Sequence, residues 1–185
     1  MRELVVTENI TVDGVIDASD GWFSPAGGED VDSSDVEDAI REQREAADAL
    51  LVGRVTFEQL RGYWPHQPDD RTGISDYLDA VSKYVVSSTL EDPGWQNTIV
   101  LGGPVLEEVR ALKAQAGKDI VATGSMTLVR ALIAAGLVDE FRLFVHPIAL
   151  GHGQQLFPDV RGLALRLAEA RPFRSGVVLL RYRKA

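Results

Sequence analysis

The sequence predicts an α/β fold, with a mostly parallel central sheet flanked by helices and antiparallel strands at its C-terminal end. Three observations predict it. Short β-rich runs alternate with longer helical runs over the first two-thirds of the chain. Three of those strands run into glycine just where a helix begins, as short βα turns require. The last third then reads almost wholly as strand, which implies antiparallel strands at one edge of the sheet.

Taken in order, Leu4-Val5-Val6 opens a strand that ends near Thr11, and a polar stretch rich in Gly, Ser and Asp follows from Asp17 to Asp35. That stretch is long for a structureless loop, and loops of this length are often functional. A helix is expected from about Ser34 to Asp48, capped by Ser33 or Ser34 and acidic in its first turn. Leu50-Leu51-Val52 is a short buried strand meeting Gly53, and Thr56–Tyr63 is helical, stopped by Pro65. Lys83–Ser88 and Thr98–Leu101 read as strands. Pro104 opens a helix carrying Val105, Leu106, Val109 and Leu112 at helical spacing. Asp119–Thr123 is a strand, and the helix Met126–Ala135 ends at Gly136, a good C-cap. Phe141, Leu143 and Val145 alternate with Arg142, Phe144 and His146, and two strands follow near 163–170 and 176–183. With no repeat, linker or low-complexity tract, residues 1–185 form a single domain.

Composition narrows the function. The chain carries 28 Asp+Glu against 19 Lys+Arg, a formal net charge of −9, and its basic residues are scattered. That balance argues against binding a phosphate backbone. Arg181, Arg183 and Lys184 alternate with Leu and Tyr, the pattern of a strand with one solvated face. The absence of cysteine excludes disulfides, thiolate nucleophiles and cysteine-ligated zinc, and fits a reducing compartment. The N-terminus has no signal-peptide pattern and no apolar run approaches 18 residues, so a soluble, cytoplasmic protein is expected, without nucleic-acid or membrane partners.

The chemistry is expected at the strand–glycine–helix junctions: Val52-Gly53-Arg54-Val55-Thr56, Leu101-Gly102-Gly103-Pro104 and Thr123-Gly124-Ser125-Met126. Each brings unpaired backbone N–H groups to the C-terminal edge of the sheet, where open α/β sheets bind ligands and helix starts suit anions. Glycine also serves a tight turn with no ligand at all. An arginine at a helix start opposes the macrodipole, so Arg54 points either to an anionic partner or to plain solvation. Ser87, Ser88 and Thr89 offer hydroxyls at the same edge. Asp13-Gly14 is a turn signal that also places a carboxylate at the mouth of a cleft, and Trp22 fits either a lid aromatic or a loop anchor. Gly151-His152-Gly153 lacks the helix a dinucleotide fingerprint needs, and His66, His146 and His152 lack metal-ligand spacing. His146 reads as a hydrogen-bonded structural histidine, and Asp35, Glu37 and Asp38 as a solvated helix start.

Leu51-Val52-Gly53-Arg54-Val55-Thr56-Phe57-Glu58 resembles the signature of the dihydrofolate reductase-like family. Thr11-Val12-Asp13-Gly14-Val15-Ile16 is similar to a segment of the C-terminal reductase domain of riboflavin-biosynthesis bifunctional deaminase–reductases. The stretch from Gly124-Ser125 through Gly136-Leu137-Val138-Asp139-Glu140 to Leu156-Phe157 resembles the same domain. The ordered set spans nearly the whole chain. The resemblance implies a stand-alone reductase domain of dihydrofolate reductase-like fold, NADPH-dependent and often a homodimer. Such an enzyme reduces a C=N or C=O bond of a heterocyclic or ribosylamino-pyrimidine-type substrate; a dihydrofolate or pteridine reductase and a catalytically silent ligand-binding module of the same fold are the alternatives. By the same resemblance Gly53, Arg54, Val55 and Thr56 hold the pyrophosphate and 2′-phosphate. Ser87, Ser88 and Thr89 line the adenosine side, and Gly124, Ser125, Met126 and Thr127 cradle the phosphates from the other helix start. Asp13, Trp22 and Glu37 would form the substrate pocket, with Asp13 and Glu37 as catalytic carboxylates. No metal is implied. Thr123 stands where the riboflavin-pathway enzymes usually carry an acid.

Overall fold

Strand β1 (Leu4–Thr11) is buried along almost its whole length, as a central strand must be when helices cover both faces of a sheet. The computed structural model describes residues 1–17, 21–23, 32–67, 69–70, 72–158 and 162–185; most of the polar stretch 17–35 lies outside them. Among the described residues eight strands form one sheet. From one edge to the other they run β4 (Thr98–Leu101), β3 (Ser82–Val86), β2 (Ala47–Gly53), β5 (Asp119–Ala122), β1, β6 (Glu140–His146), β8 (Val178–Lys184) and β7 (Leu165–Pro172). The first six are parallel, and β8 pairs antiparallel with both β6 and β7.

Alternation along the strands sorts the core into two layers. Leu4, Val6 and Ile10 of β1 pack with Ala49 and Leu51 of β2 under α4 (Val105–Ala114) and α5 (Met126–Ala134). The opposite face carries two separate clusters. One joins Leu50, Val52 and Val85 to α2 (Arg54–Tyr63) and α3 (Ile74–Ala80); the other joins Phe144 and Leu179 to α1 (Ser34–Ala46). The gap between those two clusters becomes important below. Among the described residues no helix is long and apolar enough to cross a membrane.

Several boundaries differ from expectation for local reasons. Helix α1 ends at Ala46 rather than Asp48 because the chain from Ala47 is extended and already pairs with β5. Neither Ser33 nor Ser34 caps it by side chain; the Asp32 carboxylate instead accepts bonds from the Ser34 amide and hydroxyl at 3.1 and 2.8 Å. Helix α2 starts two residues early, at Arg54, directly after an extended Gly53. Helix α3 was not expected. Gly136 does close α5: it adopts φ +64, and the Leu137 amide reaches back to the Leu132 carbonyl at 3.0 Å.

Arg181 and Arg183 of β8 keep 31% and 40% of their side-chain surface exposed, yet both guanidiniums turn to a buried acid. Glu140 is fully buried and accepts bonds from Nε of Arg142, Arg181 and Arg183 at 2.6, 2.9 and 3.0 Å. Arg142 also reaches Asp119, Arg181 reaches Glu169, and Arg183 reaches Glu3. Burial alone would raise the Glu140 pKa, but Arg142 and Arg181 hold it below its ordinary 4.5. The cluster therefore stabilises the fold above that value and weakens as pH falls through the depressed one. Replacing Glu140 by Gln leaves three guanidiniums converging on a neutral group and is expected to cost about 3–5 kcal/mol. Urea unfolding at pH 7 measures this; a loss under about 1 kcal/mol would mean that the arginines find other partners.

Candidate active site

Strands β1 and β5 stay paired only as far as Val6 and Ala122, whereas β1 keeps its pairing with β6 up to Thr11 and His146. A sheet whose neighbouring strands lead to opposite sides opens a crevice at its C-terminal edge, and that is where ligands bind. Over this crevice, in the gap between the α2/α3 and α1 clusters, lies a cavity of about 640 Å³, the size of a small-molecule site. Its floor is Thr7 and Asn9 of β1, Leu50 of β2, Val121 and Thr123 at the end of β5, and Phe144 and His146 of β6. One wall is a single stripe of α1: Val36, Glu37, Ile40, Gln43 and Arg44, at the 3–4 residue spacing that keeps side chains on one helix face. Leu60, Trp64, Ile74 and Leu78 make the facing wall.

The polar groups in this apolar space are few. His146 Nε2 lies 2.9 Å from Asn9 Oδ1, and its ring meets Trp22 and Phe23 edge-on at 5.3 and 5.5 Å. Burial pushes the His146 pKa below 6.5, which favours the neutral ring. Trp22 both lines the cavity and anchors its own segment, donating Nε1–H to the Asp17 carbonyl at 2.7 Å. Glu37 also lines the cavity, from the exposed first turn of α1. Deeper along α1, Arg44 Nη2 donates to the Thr72 carbonyl at 2.7 Å, while its Nη1 and Gln43 Oε1 are buried without hydrogen-bond partners.

Sequence reasoning missed Glu8. This residue of β1 is only 6 % exposed; its strand position borders the cavity, but its side chain alternates onto the face of Leu4, Val6 and Ile10, opposite the floor residues Thr7 and Asn9. The Gly124 backbone amide is near enough to its carboxylate to favour the charged form, and Oε1 is buried with no partner. Burial raises its pKa well above 4.5 against the opposing pull of that amide. The signal was available: Glu8 occupies an alternating position with Leu4, Val6 and Ile10, where an acid has no reason to be solvated.

The junctions behave differently from one another. The Gly53 amide donates to Ser125 Oγ at 2.8 Å, and the Ser125 amide donates to Thr56 Oγ1 at 3.0 Å, so the starts of α2 and α5 are locked together. A methyl group on Gly124, at φ +57, would stand 3.2 Å from Thr56. Neither helix start carries a side-chain cap, which leaves the amides of the first turns after Gly53 and Ser125 unpaired by side chains. Arg54, Val55 and Thr127 are exposed at this rim, beside Met126; Arg54 Nη1 lies 3.2 Å from both oxygens of Glu58, an exposed pair of little energetic weight. The third junction departs from expectation, because Glu108 Oε2 accepts the Gly103 amide at 3.2 Å and fills the start of α4 with a carboxylate. Ser87 follows directly on the Gly53–Val86 pair, which puts it, Ser88 and Thr89 on the same edge as Arg54. Its hydroxyl accepts the Thr89 and Leu90 amides at 3.2 and 3.0 Å.

Asp13 is not in the cavity wall. Its carboxylate accepts the Thr11 hydroxyl at 2.5 Å and the amides of Leu150 and Gly151 at 3.1 and 2.7 Å. The Thr11 bond and the Gly151 amide hold its pKa below 3.8. Asp13 thus ties the end of β1 to the segment 148–156, which packs so closely that a methyl on Gly153 would meet Val15 at 2.7 Å.

Residues 2–179 match the model of the RibD C-terminal domain. The chain belongs to the RibD C-terminal domain family. Two curated relatives, both uncharacterized proteins of Bacillus subtilis (strain 168), share this form. YyaP is 34% identical over 184 residues, covering 98% of this chain and 94% of its own length; YwjB is 24% identical over 182 residues, covering 96% of each. Among solved structures the fold is similar to a putative riboflavin biosynthesis protein from Shewanella sp. PV-4, at TM-score 0.73 and 19% identity over 99% of both chains. It is also similar to a pyrimidine reductase-like protein from Corynebacterium diphtheriae, at 0.70 and 18% over 99% and 92%. A diaminohydroxyphosphoribosylaminopyrimidine deaminase/5-amino-6-(5-phosphoribosylamino)uracil reductase from Thermotoga maritima matches at 0.67 and 15%, covering all of this chain but 57% of its own. The dihydrofolate reductase-like α/β fold expected from the sequence is the fold these RibD reductase-like structures share.

Two measurements probe this RibD-family site directly. Ser125→Ala removes the acceptor of the Gly53 amide and should cost about 1–3 kcal/mol. That is a melting temperature lower by roughly 3–10 °C; an unchanged melt would show that the lock carries no stability. For Glu8 the folded pKa lies above the unfolded one, so its contribution is complete below pH 4.5 and is lost as pH rises through the folded value. Denaturation midpoints of the wild type should therefore fall across that range relative to Glu8→Gln, and parallel curves would mean that Glu8 is ionised throughout.

Proposed function

We propose that this RibD-family chain is an NADPH-dependent reductase acting on a C=N or C=O bond of a small heterocyclic or ribosylamino-pyrimidine-type substrate. The observation that carries the reading is the pair of helix starts without side-chain caps, locked together through Ser125, two residues beyond Thr123 of the apolar cavity. Two adjacent helix N-termini make a ready site for a pyrophosphate. The residues fit such a group: Gly124 permits close approach, and the one junction closed by its own carboxylate, at Glu108, is the one left out. The family and the printed names of the structural neighbours support the same reading.

In this reading Gly53, Thr56, Gly124, Ser125, Met126 and Thr127 hold the pyrophosphate through backbone amides and hydroxyls. Arg54 leaves its weak pair with Glu58 to bind the 2′-phosphate, flanked by Val55, and Ser87, Ser88 and Thr89 line the adenosine side. When bound, the dinucleotide supplies a hydride. The chain supplies position: Trp22, Ile40, Leu60 and Trp64 give a water-poor, flat-sided space for a planar ring, and Glu37 closes its outer end. Asp13 acts by fixing the segment 148–156 beside the mouth rather than by touching substrate.

The test is nucleotide titration followed by fluorescence. Arg54→Ala should weaken NADPH by about 10–100-fold, the worth of a charge-assisted phosphate contact, and leave NADH within about threefold. Equal losses for the two nucleotides would place the 2′-phosphate elsewhere.

A further inference from the structure

His146 is the last residue of β6, and its side chain shares the cavity face with Phe144 and with Thr7 and Asn9 of the neighbouring β1. Three contacts hold the imidazole. Asn9 Oδ1, 2.9 Å from Nε2, can only accept, so Nε2 carries the ring proton and donates it. Trp22 and Phe23 meet the ring edge-on at 5.3 and 5.5 Å and fix its tilt. Nδ1 is left with a lone pair and no hydrogen-bond partner among the described residues. Unlike Gln43 Oε1 and Arg44 Nη1 it is not sealed off, and the ring that carries it lines the cavity.

The charged and titratable groups nearby leave the ring neutral. Glu37 and Arg44 line the cavity from α1 and Tyr77 from α3. Asp17 is tied to Trp22 through its carbonyl, and Arg174, in the turn before β8, is occupied by Asp32 and Asp35 at 2.7 and 3.3 Å. Glu8 of β1 lies on the opposite face of the sheet. Burial is what sets the imidazole, holding its pKa below 6.5. A neutral acceptor among apolar walls is satisfied by a ligand that brings an N–H, and it rejects a ligand of the same shape without one.

Resting on the reductase reading, we propose that His146 is a specificity-determining residue: its Nδ1 accepts a hydrogen bond from a ring N–H of a planar, cyclic-amide type of substrate. Asn9 is the positioning residue, because its carbonyl oxygen decides which imidazole nitrogen is free. An in-plane bond to one edge orients the ring and leaves both of its flat faces open, as delivery of a hydride to a ring atom requires.

The probes are uracil, which has ring N–H groups, and 1,3-dimethyluracil, which has none, titrated into the NADPH-loaded protein by ligand-observed NMR. Wild type should bind uracil about tenfold tighter than its dimethyl twin. Uracil affinity should fall as pH drops through the His146 pKa, by up to tenfold per unit, because a protonated Nδ1 no longer accepts. The dimethyl twin should show no such loss. Asn9→Asp puts a carboxylate on Nε2 and should move the loss to higher pH. His146→Phe keeps an aromatic ring beside Trp22 and Phe23; it should cut the preference for uracil to within about threefold and leave NADPH affinity within about twofold. With NADPH bound, equal affinity for the two probes, binding of neither, or a preference that survives in His146→Phe overturns the role of His146. Failure of NADPH to bind overturns the reductase reading itself. The probe pair and the pH profile on the wild type need no variant to fold.

Discussion

The architecture turns on where a single pair of strands stops pairing. Strand β1 lies at the middle of the sheet and must satisfy its backbone on both sides, yet it loses β5 after three register pairs and keeps β6 for seven. The loss is tolerable because it falls at the C-terminal edge, where β5 has to turn into α5. The backbone that β5 no longer covers is next to Glu8, whose carboxylate is buried near the Gly124 amide. The crevice is thus a consequence of topology, and the cavity and the two locked helix starts meet at it.

What the lock between Gly53, Thr56 and Ser125 accomplishes is best judged against the third junction. All three strands run into glycine at or just past their ends, and all three helices begin without a side-chain cap at the N-cap position itself. At α4 the deficit of acceptors is met from within the helix by Glu108. At α2 and α5 the turns satisfy one amide each from the other's side chain, Ser125 Oγ and Thr56 Oγ1, and leave the following amides facing outward. Ser125 adopts φ +48 to do so, a conformation that non-glycine residues rarely take. A local strain of this kind persists only when the surroundings hold it, here through two hydrogen bonds to another element.

The sequence made the order of elements legible, and the limits of that legibility are physical. Strand β1 and helix α5 could be read closely because apolar alternation and the Gly136 cap are local signals. Helix α1 was overextended because Ala46, Ala47 and Ala49 suit a helix, and only pairing of Ala47 and Ala49 with strands far along the chain makes them extended. Helix α3 has seven residues and is fixed by distant or non-periodic groups: Asp70 accepts the Ser75 amide ahead of it, and the buried Lys83 ammonium takes the Leu78 and Val81 carbonyls at its end. The pairing of the part-exposed Arg181 and Arg183 was missed because their acid, Glu140, is 41 and 43 residues away. The strand–glycine–helix turns were legible as motifs, whereas Glu8 was hidden in a strand whose neighbours supply no motif at all.

Strand β6 shows why an unsatisfied site can sit in a stable fold. On its α1-facing side it carries Glu140, Arg142, Phe144 and His146 in succession. At the first end every charge is matched, with Glu140 enclosed by three guanidiniums and Arg142 shared with Asp119. Phe144 then packs on Phe173 within an apolar cluster that insulates one end from the other. Among the described residues the buried polar atoms without partners are on Glu8, Gln43, Arg44 and Arg130, the first three of them residues that border the cavity. Each such atom costs on the order of 1–3 kcal/mol, a burden that a marginally stable domain carries only where other parts are fully paired. The uneven distribution is therefore informative: the paired end supplies rigidity, and most of the unpaired polar atoms gather where the sheet opens.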